Sequence, residues 1–115
     1  MSGGVDTAAI LTASSLLSIS YACAITVCVG TTCPDLSFAK FLASKHSIPH
    51  HIVSVTAGRL VELYLPLCVK LLRTYDGMTL RNSFVICAAM ERAREEGMDS
   101  CVVGDAADEV RRGRC

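Results

Sequence analysis

Tyr21-Ala-Cys-Ala-Ile-Thr-Val-Cys-Val29-Gly30 is an almost continuous apolar, β-branched run closed by a glycine. A strand covered on both faces reads this way, because neither side of its pleat meets water. Before it, residues 7–17 place Ile10, Ala13 and Leu17 on one face of a helix, and Ser14 to Ser20 reads as that helix's end and a turn. After it, Pro34-Asp35 supplies a helix start, and Phe38, Phe41 and Leu42 make an apolar stripe that runs to His46. His51-Ile-Val-Ser-Val55 is a second strand.

Thr56 is placed to cap a third helix, whose Leu60, Leu63, Tyr64, Leu67 and Leu71 share a face. Pro66 lies inside that pattern and should kink or split it, since proline brings no N–H and its ring crowds the preceding turn. Thr74-Tyr-Asp-Gly-Met78 reads as a loop, and Thr79 as the cap of a fourth helix running through Glu96. On that helix Leu80, Phe84, Cys87 and Ala88 face the core, Arg92 and Glu96 form an exposed i,i+4 pair, and Gly97 stands where a helix stops. Ser100-Cys-Val-Val103 reads as a short buried strand that leads into Gly104-Asp-Ala-Ala-Asp-Glu109. The alternation of helices and strands predicts an α/β fold, three layers around a parallel sheet, within one domain spanning residues 1–115.

Bulk composition agrees with a packed domain. The chain has 115 residues, 51% of them hydrophobic and 19% charged, and a mean hydropathy of +0.44. Eleven basic residues balance eleven acidic ones, so no net field recruits nucleic acid or anionic lipid. Residues 8–29 are largely apolar, but Thr12, Ser14, Ser15, Ser18, Ser20 and Thr26 break the run, and a membrane span wants about 20 predominantly apolar residues. A signal peptide wants a cationic start, whereas residues 1–39 contain no Lys or Arg. Neither a membrane nor a nucleic acid is expected as a partner, and the expected compartment is the cytoplasm. The seven cysteines, an odd number without a CxxC pair, mostly sit inside apolar runs and read as reduced core thiols. Cys23 and Cys28 are five apart in a strand, so they point to opposite faces. His46, His50 and His51 cluster at a surface turn without zinc spacing.

Chemistry is concentrated in two loops. Ser2-Gly3-Gly4-Val5-Asp6-Thr7 opens a helix. Its glycines let backbone N–H groups turn toward one point, and the helix N-terminus adds further donors and partial positive charge. Ser2 and Thr7 contribute hydroxyls, and Asp6 contributes a hard oxygen ligand for Mg²⁺. Together they suit a pyrophosphate. The second loop, Gly104-Asp105-Ala-Ala-Asp108-Glu109, sets three carboxylates just beyond the last predicted strand, at the sheet edge where parallel sheets bind ligands. Taken singly, either loop is equally well a turn or a solvated acidic surface.

These two motifs resemble a known family. Ser2-Gly-Gly-Val-Asp-Thr7 is similar to the SGGxD[ST] pyrophosphate loop of the PP-loop, or N-type, ATP pyrophosphatases. Gly104-Asp-Ala-Ala-Asp-Glu109 resembles the G-x-G-A-D-E segment of the asparagine synthetase synthase domain, and Leu80-Arg-Asn82 resembles that family's middle region. The resemblance implies a Rossmann-like, adenine nucleotide alpha hydrolase-like fold and ATP-dependent amide formation. Aspartate is activated as an acyl-adenylate with release of pyrophosphate and is then amidated by ammonia, free or derived from glutamine. It further implies that Ser2, Gly3, Gly4, Asp6 and Thr7 hold ATP and that Asp6 and Asp108 serve Mg²⁺. Gly30 lies where backbone approaches the adenine or ribose, and Gly104 and Asp105 shape the acceptor side of the cleft. Arg81 stands for an anionic substrate group, with a solvated helix side chain as the alternative.

Departures from the pattern also create expectations. The family's loop follows a central strand, and nothing precedes Met1 here. Ala106 replaces a glycine, and Val110-Arg-Arg-Gly-Arg-Cys115 replaces a longer catalytic region that includes a lysine. The chain therefore reads as a domain that lacks its first strand and C-terminal region, with a glutaminase or a full-length synthase as partner. A non-catalytic nucleotide-binding fragment, and a PP-loop enzyme acting on deazaguanine or tRNA, stay open as alternatives.

Overall fold

The computed structural model describes residues 1–31 and 33–104. Its elements are α1 (Val5–Leu16), β1 (Ala24–Val29), α2 (Leu36–Lys45), β2 (His50–Val55), the single turn α3 (Ala57–Arg59), a π-turn (Leu60–Tyr64), α4 (Leu65–Leu72) and α5 (Gly77–Glu95). β1 and β2 pair in parallel, with Val27 opposite Val53 and Val29 opposite Val55. With α2 between them they make a β-α-β unit, so the chain is a mixed α/β protein built on a two-stranded parallel sheet.

The pleat sorts the two strands' side chains. Val27, Val53 and Val55 turn to a cluster formed with Tyr64, Leu60 and, from α5, Phe84, Cys87 and Ala88. Ala24, Thr26 and Cys28 alternate with Ile25 and Val27 and are buried on the opposite face. The strand at 21–29 is thus three residues shorter than its apolar run, and Tyr21 has a different task. Its hydroxyl lies 2.6 Å from Ser14 Oγ, which pairs the one buried hydroxyl of α1.

Four helix ends use the left-handed region. Ser18, Ser47 and Arg73 have φ of 55°, 53° and 52°, and Gly97 has φ of 72°. In three of them the next amide reaches back into the helix: Ile19 N–H to Ser14 O, Ile48 N–H to Ala43 O, and Met98 N–H to Ala93 O. Of the three N-cap assignments that can be compared, Thr56 caps as expected, its hydroxyl accepting from Arg59 N–H at 3.2 Å. For α5, Asp76 replaces Thr79: its carboxylate accepts the Thr79 N–H at 2.7 Å, and the helix begins at Gly77. An Asp reaching the third amide beyond it is the stronger cap. Asp35 adjoins α2 without a side-chain capping bond.

Several apolar stripes turn out rotated. On α1 the buried positions are Leu11 and Ser14, while Leu17 is 71% exposed. On α2 they are Ala39, Leu42 and Ala43, while Phe38 and Phe41 face outward. Small residues line that contact because the helix packs close to β1. In the third predicted helix, Pro66 is preceded by a π-turn over Leu60–Tyr64. The wider turn removes the bond that proline cannot make and shifts the register, so Tyr64 and Cys68 are buried while Leu63, Leu67 and Leu71 are exposed. On α5, Leu80 and Ala88 are buried, Phe84 and Cys87 pack on the cluster, and Arg92 pairs with Glu96, as expected, except that this pair is half-buried rather than exposed.

The strand expected at 100–103 does not form; these residues are exposed and outside any ladder. A strand exists only through its partner. β1 has β2 on one edge, and on the other edge it meets Met1, whose ammonium donates to Ile25 O while Thr26 Oγ1 donates to Met1 O at 2.7 Å. Among the described residues, 100–103 join neither the edge of β1 that Met1 meets nor the outer edge of β2, which has no strand partner.

Candidate functional site

Gly4 is the N-cap of α1, in an extended conformation, and no side chain caps the helix. The first-turn amides of α1 are thus left without a side-chain acceptor, which is the arrangement an anion can use. Ser2 Oγ lies 3.0 Å from Thr7 Oγ1 and accepts Gly4 N–H at 3.3 Å. The two hydroxyls therefore sit together over the helix start. Asp6 belongs to that same first turn, where its charge complements the helix dipole. The structure brings Ser2, Gly4, Asp6 and Thr7 into one small area.

Two glycines set how closely other segments approach this area. A Cβ on Gly3 would stand 2.5 Å from Phe38 Cβ and 3.0 Å from Asp35 O, so the loop lies directly on the first turn of α2. A Cβ on Gly104 would lie 3.4 Å from Asp6 Cβ and 4.0 Å from Thr7 N. The segment at Gly104 thus reaches the start of α1, although it arrives there as irregular chain. Gly30 extends the sheet by one bond, donating its N–H to Val55 O at 3.0 Å, and it has φ of 76° with open space around it. Only glycine occupies that conformation without strain. Arg81 is exposed, just past the first turn of α5. Asp105, Ala106, Asp108 and Glu109 lie outside the described residues.

Three further polar arrangements were not legible as wholes, because each joins residues far apart in the chain. First, Thr26 spends its single proton on Met1 O, so His50 Nε2, 2.8 Å away, must donate to Thr26 Oγ1. Burial and the nearby Met1 ammonium, together with Lys40 and His51, hold His50 below its ordinary value of 6.5. Second, a cavity of about 320 Å³ opens beside β2, lined by His51, Arg59, Tyr64, Glu91, Arg92 and Glu95 among others. Its charges are already paired: Tyr64 donates to Glu91, Arg59 lies 3.4 Å from the same carboxylate, and Arg92 bridges Glu95 and Glu96. Burial, followed by the Glu91 carboxylate, raises the Tyr64 phenol. Third, Cys68 Sγ touches Cys87 Sγ at 3.3 Å.

The fold is a mixed α/β one, and the first turn of α1, beside the Ser2–Thr7 hydroxyl pair, carries no side-chain cap. The family model for asparagine synthase matches residues 1–114. The chain belongs to the asparagine synthase family. No curated protein and no solved structure matches it.

Proposed function

We propose that this chain carries the nucleotide site of an ATP-dependent amide ligase of asparagine synthetase type. The reading is supported above all by the first turn of α1, where Ser2, Asp6 and Thr7 cluster around unclaimed amides and Gly104 closes one side. Family membership adds the expectation of a three-layer, Rossmann-like PP-loop domain with further strands around β1 and β2.

In this reading, the amides of the loop and of the α1 start, with the Ser2 and Thr7 hydroxyls, hold the pyrophosphate of ATP. The donor set fits: N–H and O–H groups face phosphate oxygens, while Asp6 offers the carboxylate oxygen a hard cation takes. Mg²⁺ held by Asp6 and Asp108 would neutralise charge on the leaving pyrophosphate. The open backbone at Gly30 takes the nucleoside, and Gly104 and Asp105 border the acceptor. The acceptor is aspartate: its carboxylate oxygen attacks the α-phosphorus, the bond to pyrophosphate breaks, and an acyl-adenylate forms. Ammonia then adds to the acyl carbon and AMP leaves. No protein nucleophile is required, so the chain's contribution is alignment and charge neutralisation. Arg81 is assigned to an anionic group of the substrate. The ammonia reaches the site from solution, from a glutaminase or from a full-length synthase partner, in the cytoplasm.

Isothermal titration with ATP and Mg²⁺ tests the site. Binding should need Mg²⁺ and weaken at least tenfold in Asp6→Asn; equal affinity in both proteins rejects the proposal. Pyrophosphate release with aspartate, compared with other acceptor acids, tests the reaction. ATP binding without AMP formation under any acceptor identifies a non-catalytic nucleotide-binding chain instead.

A further inference from the structure

The thiols of Cys68 and Cys87 come from different helices, α4 and α5, and meet inside the core at 3.3 Å between sulfurs. Cys68 is 1% exposed, whereas Cys87 is half-buried. A disulfide needs about 2.05 Å between sulfurs, so each side must yield well under an ångström. The intervening chain turns at Arg73, in the left-handed region, and at the residues before Asp76. A bond here would tie the two arms of this helical hairpin together.

We propose that Cys68 and Cys87 are a reversible redox pair, oxidised by a low-molecular-weight disulfide into a bond that staples α4 to α5. The half-buried thiol starts the exchange. Cys87 loses its proton to solvent, and its sulfur attacks one sulfur of the small disulfide. The small S–S bond breaks and one small thiolate leaves to take up a proton. Cys68 then gives its proton to solvent and attacks Cys87 Sγ, expelling the second small thiolate. Two protein thiols are oxidised, and one small disulfide is reduced to two thiols. Burial, with Cys87 alongside, pushes the Cys68 thiol up to about 11, which makes the second attack the slow one. The reduced protein is therefore stable to brief exposure and responds to a sustained oxidising poise. The site is independent of the nucleotide reading.

The test uses the full chain incubated with glutathione disulfide, denatured in the presence of an alkylating agent that traps the remaining thiols, and cut by trypsin without reductant. Mass spectrometry should find the peptide 60–70 joined to 82–92, lighter by two hydrogens than the separate pair and released by dithiothreitol. The thermal midpoint of the oxidised protein should rise by roughly 4 °C or more. Cys87→Ala should lose the linked peptide and leave Cys68 fully alkylatable. Cys68→Ala should stop at Cys87 carrying one glutathione, an intermediate that mere packing would not produce. Glutathione on Cys101 or Cys33 with both Cys68 and Cys87 alkylated overturns the proposal. So does wild-type protein that stops at a mixed disulfide on Cys87.

Discussion

Gly104 lies against Asp6: a Cβ built on the glycine would come within 3.4 Å of the aspartate's Cβ. Residues ninety-eight positions apart in the chain thus share one edge of the molecule, beside the first turn of α2 on which Gly3 rests. That edge carries the candidate site, and its tightness makes it sensitive to small substitutions.

Gly3→Ala should be the most damaging single methyl in the loop. Its Cβ would overlap Phe38 Cβ and press on Asp35 O, a backbone atom that moves only if α2 moves. Overpacking of this kind costs about 1–3 kcal/mol, and the loop should also lose ATP affinity. Urea unfolding measures the first effect and titration the second. Gly4→Ala is the contrast, since its Cβ would meet only Ser2 Oγ, at 3.3 Å.

The paired hydroxyls of Ser2 and Thr7 are exposed, so their hydrogen bond contributes little to folding. The double variant Ser2→Ala, Thr7→Val should keep its stability within about 0.5 kcal/mol. Its affinity for MgATP should fall at least tenfold. A variant that loses stability and keeps affinity would assign the pair to structure alone.

His50 makes stability depend on pH. Its folded-state pKa is lowered, chiefly by burial, so the unfolded chain binds more protons between that value and 6.5. Stability is therefore fully present above 6.5 and declines as pH falls through the lowered value. The Met1 amine, lowered by burial from 8.0, acts in the same direction in a higher window. Urea midpoints measured from pH 8.5 to 5 should fall steadily, and His50→Gln should flatten the lower part of the curve. A wild-type midpoint that rises on acidification contradicts this sign.

Ser47 ends α2 with φ of 53°, a conformation that crowds its Cβ. Ser47→Gly should stabilise the protein by about 0.5–1 kcal/mol, because the glycine relieves that crowding at a position the fold already fixes. Chemical denaturation monitored by circular dichroism checks this, and a loss of stability would show that the serine side chain matters more than the backbone angle.

The elements of the β-α-β unit, the kink at Pro66 and the Gly97 stop were legible because each depends on neighbours within a few residues. The helix faces were less so. Phe38 and Phe41 look like core and are exposed, because α2 packs through Ala39 and Ala43. Hydrophobicity marks what can be buried, whereas the distance between helix and strand selects small residues there. The π-turn added a second shift, moving the buried line to Tyr64 and Cys68. At the site, the grouping of Ser2, Gly4, Asp6 and Thr7 was legible because these residues are contiguous; the loop's contact with α2 through Gly3 was not.

By itself, the sequence determined much of the local grammar: the helices, the two strands of the β-α-β unit, and the contiguous loop that gathers Ser2, Asp6 and Thr7 at the start of α1. Tertiary structure alone decided that Gly104 meets Asp6, that Cys68 meets Cys87, and that residues 100–103 stay unpaired. Local preferences are written in neighbouring side chains and backbone angles. These three outcomes depend instead on which distant surfaces each segment meets once the others have packed.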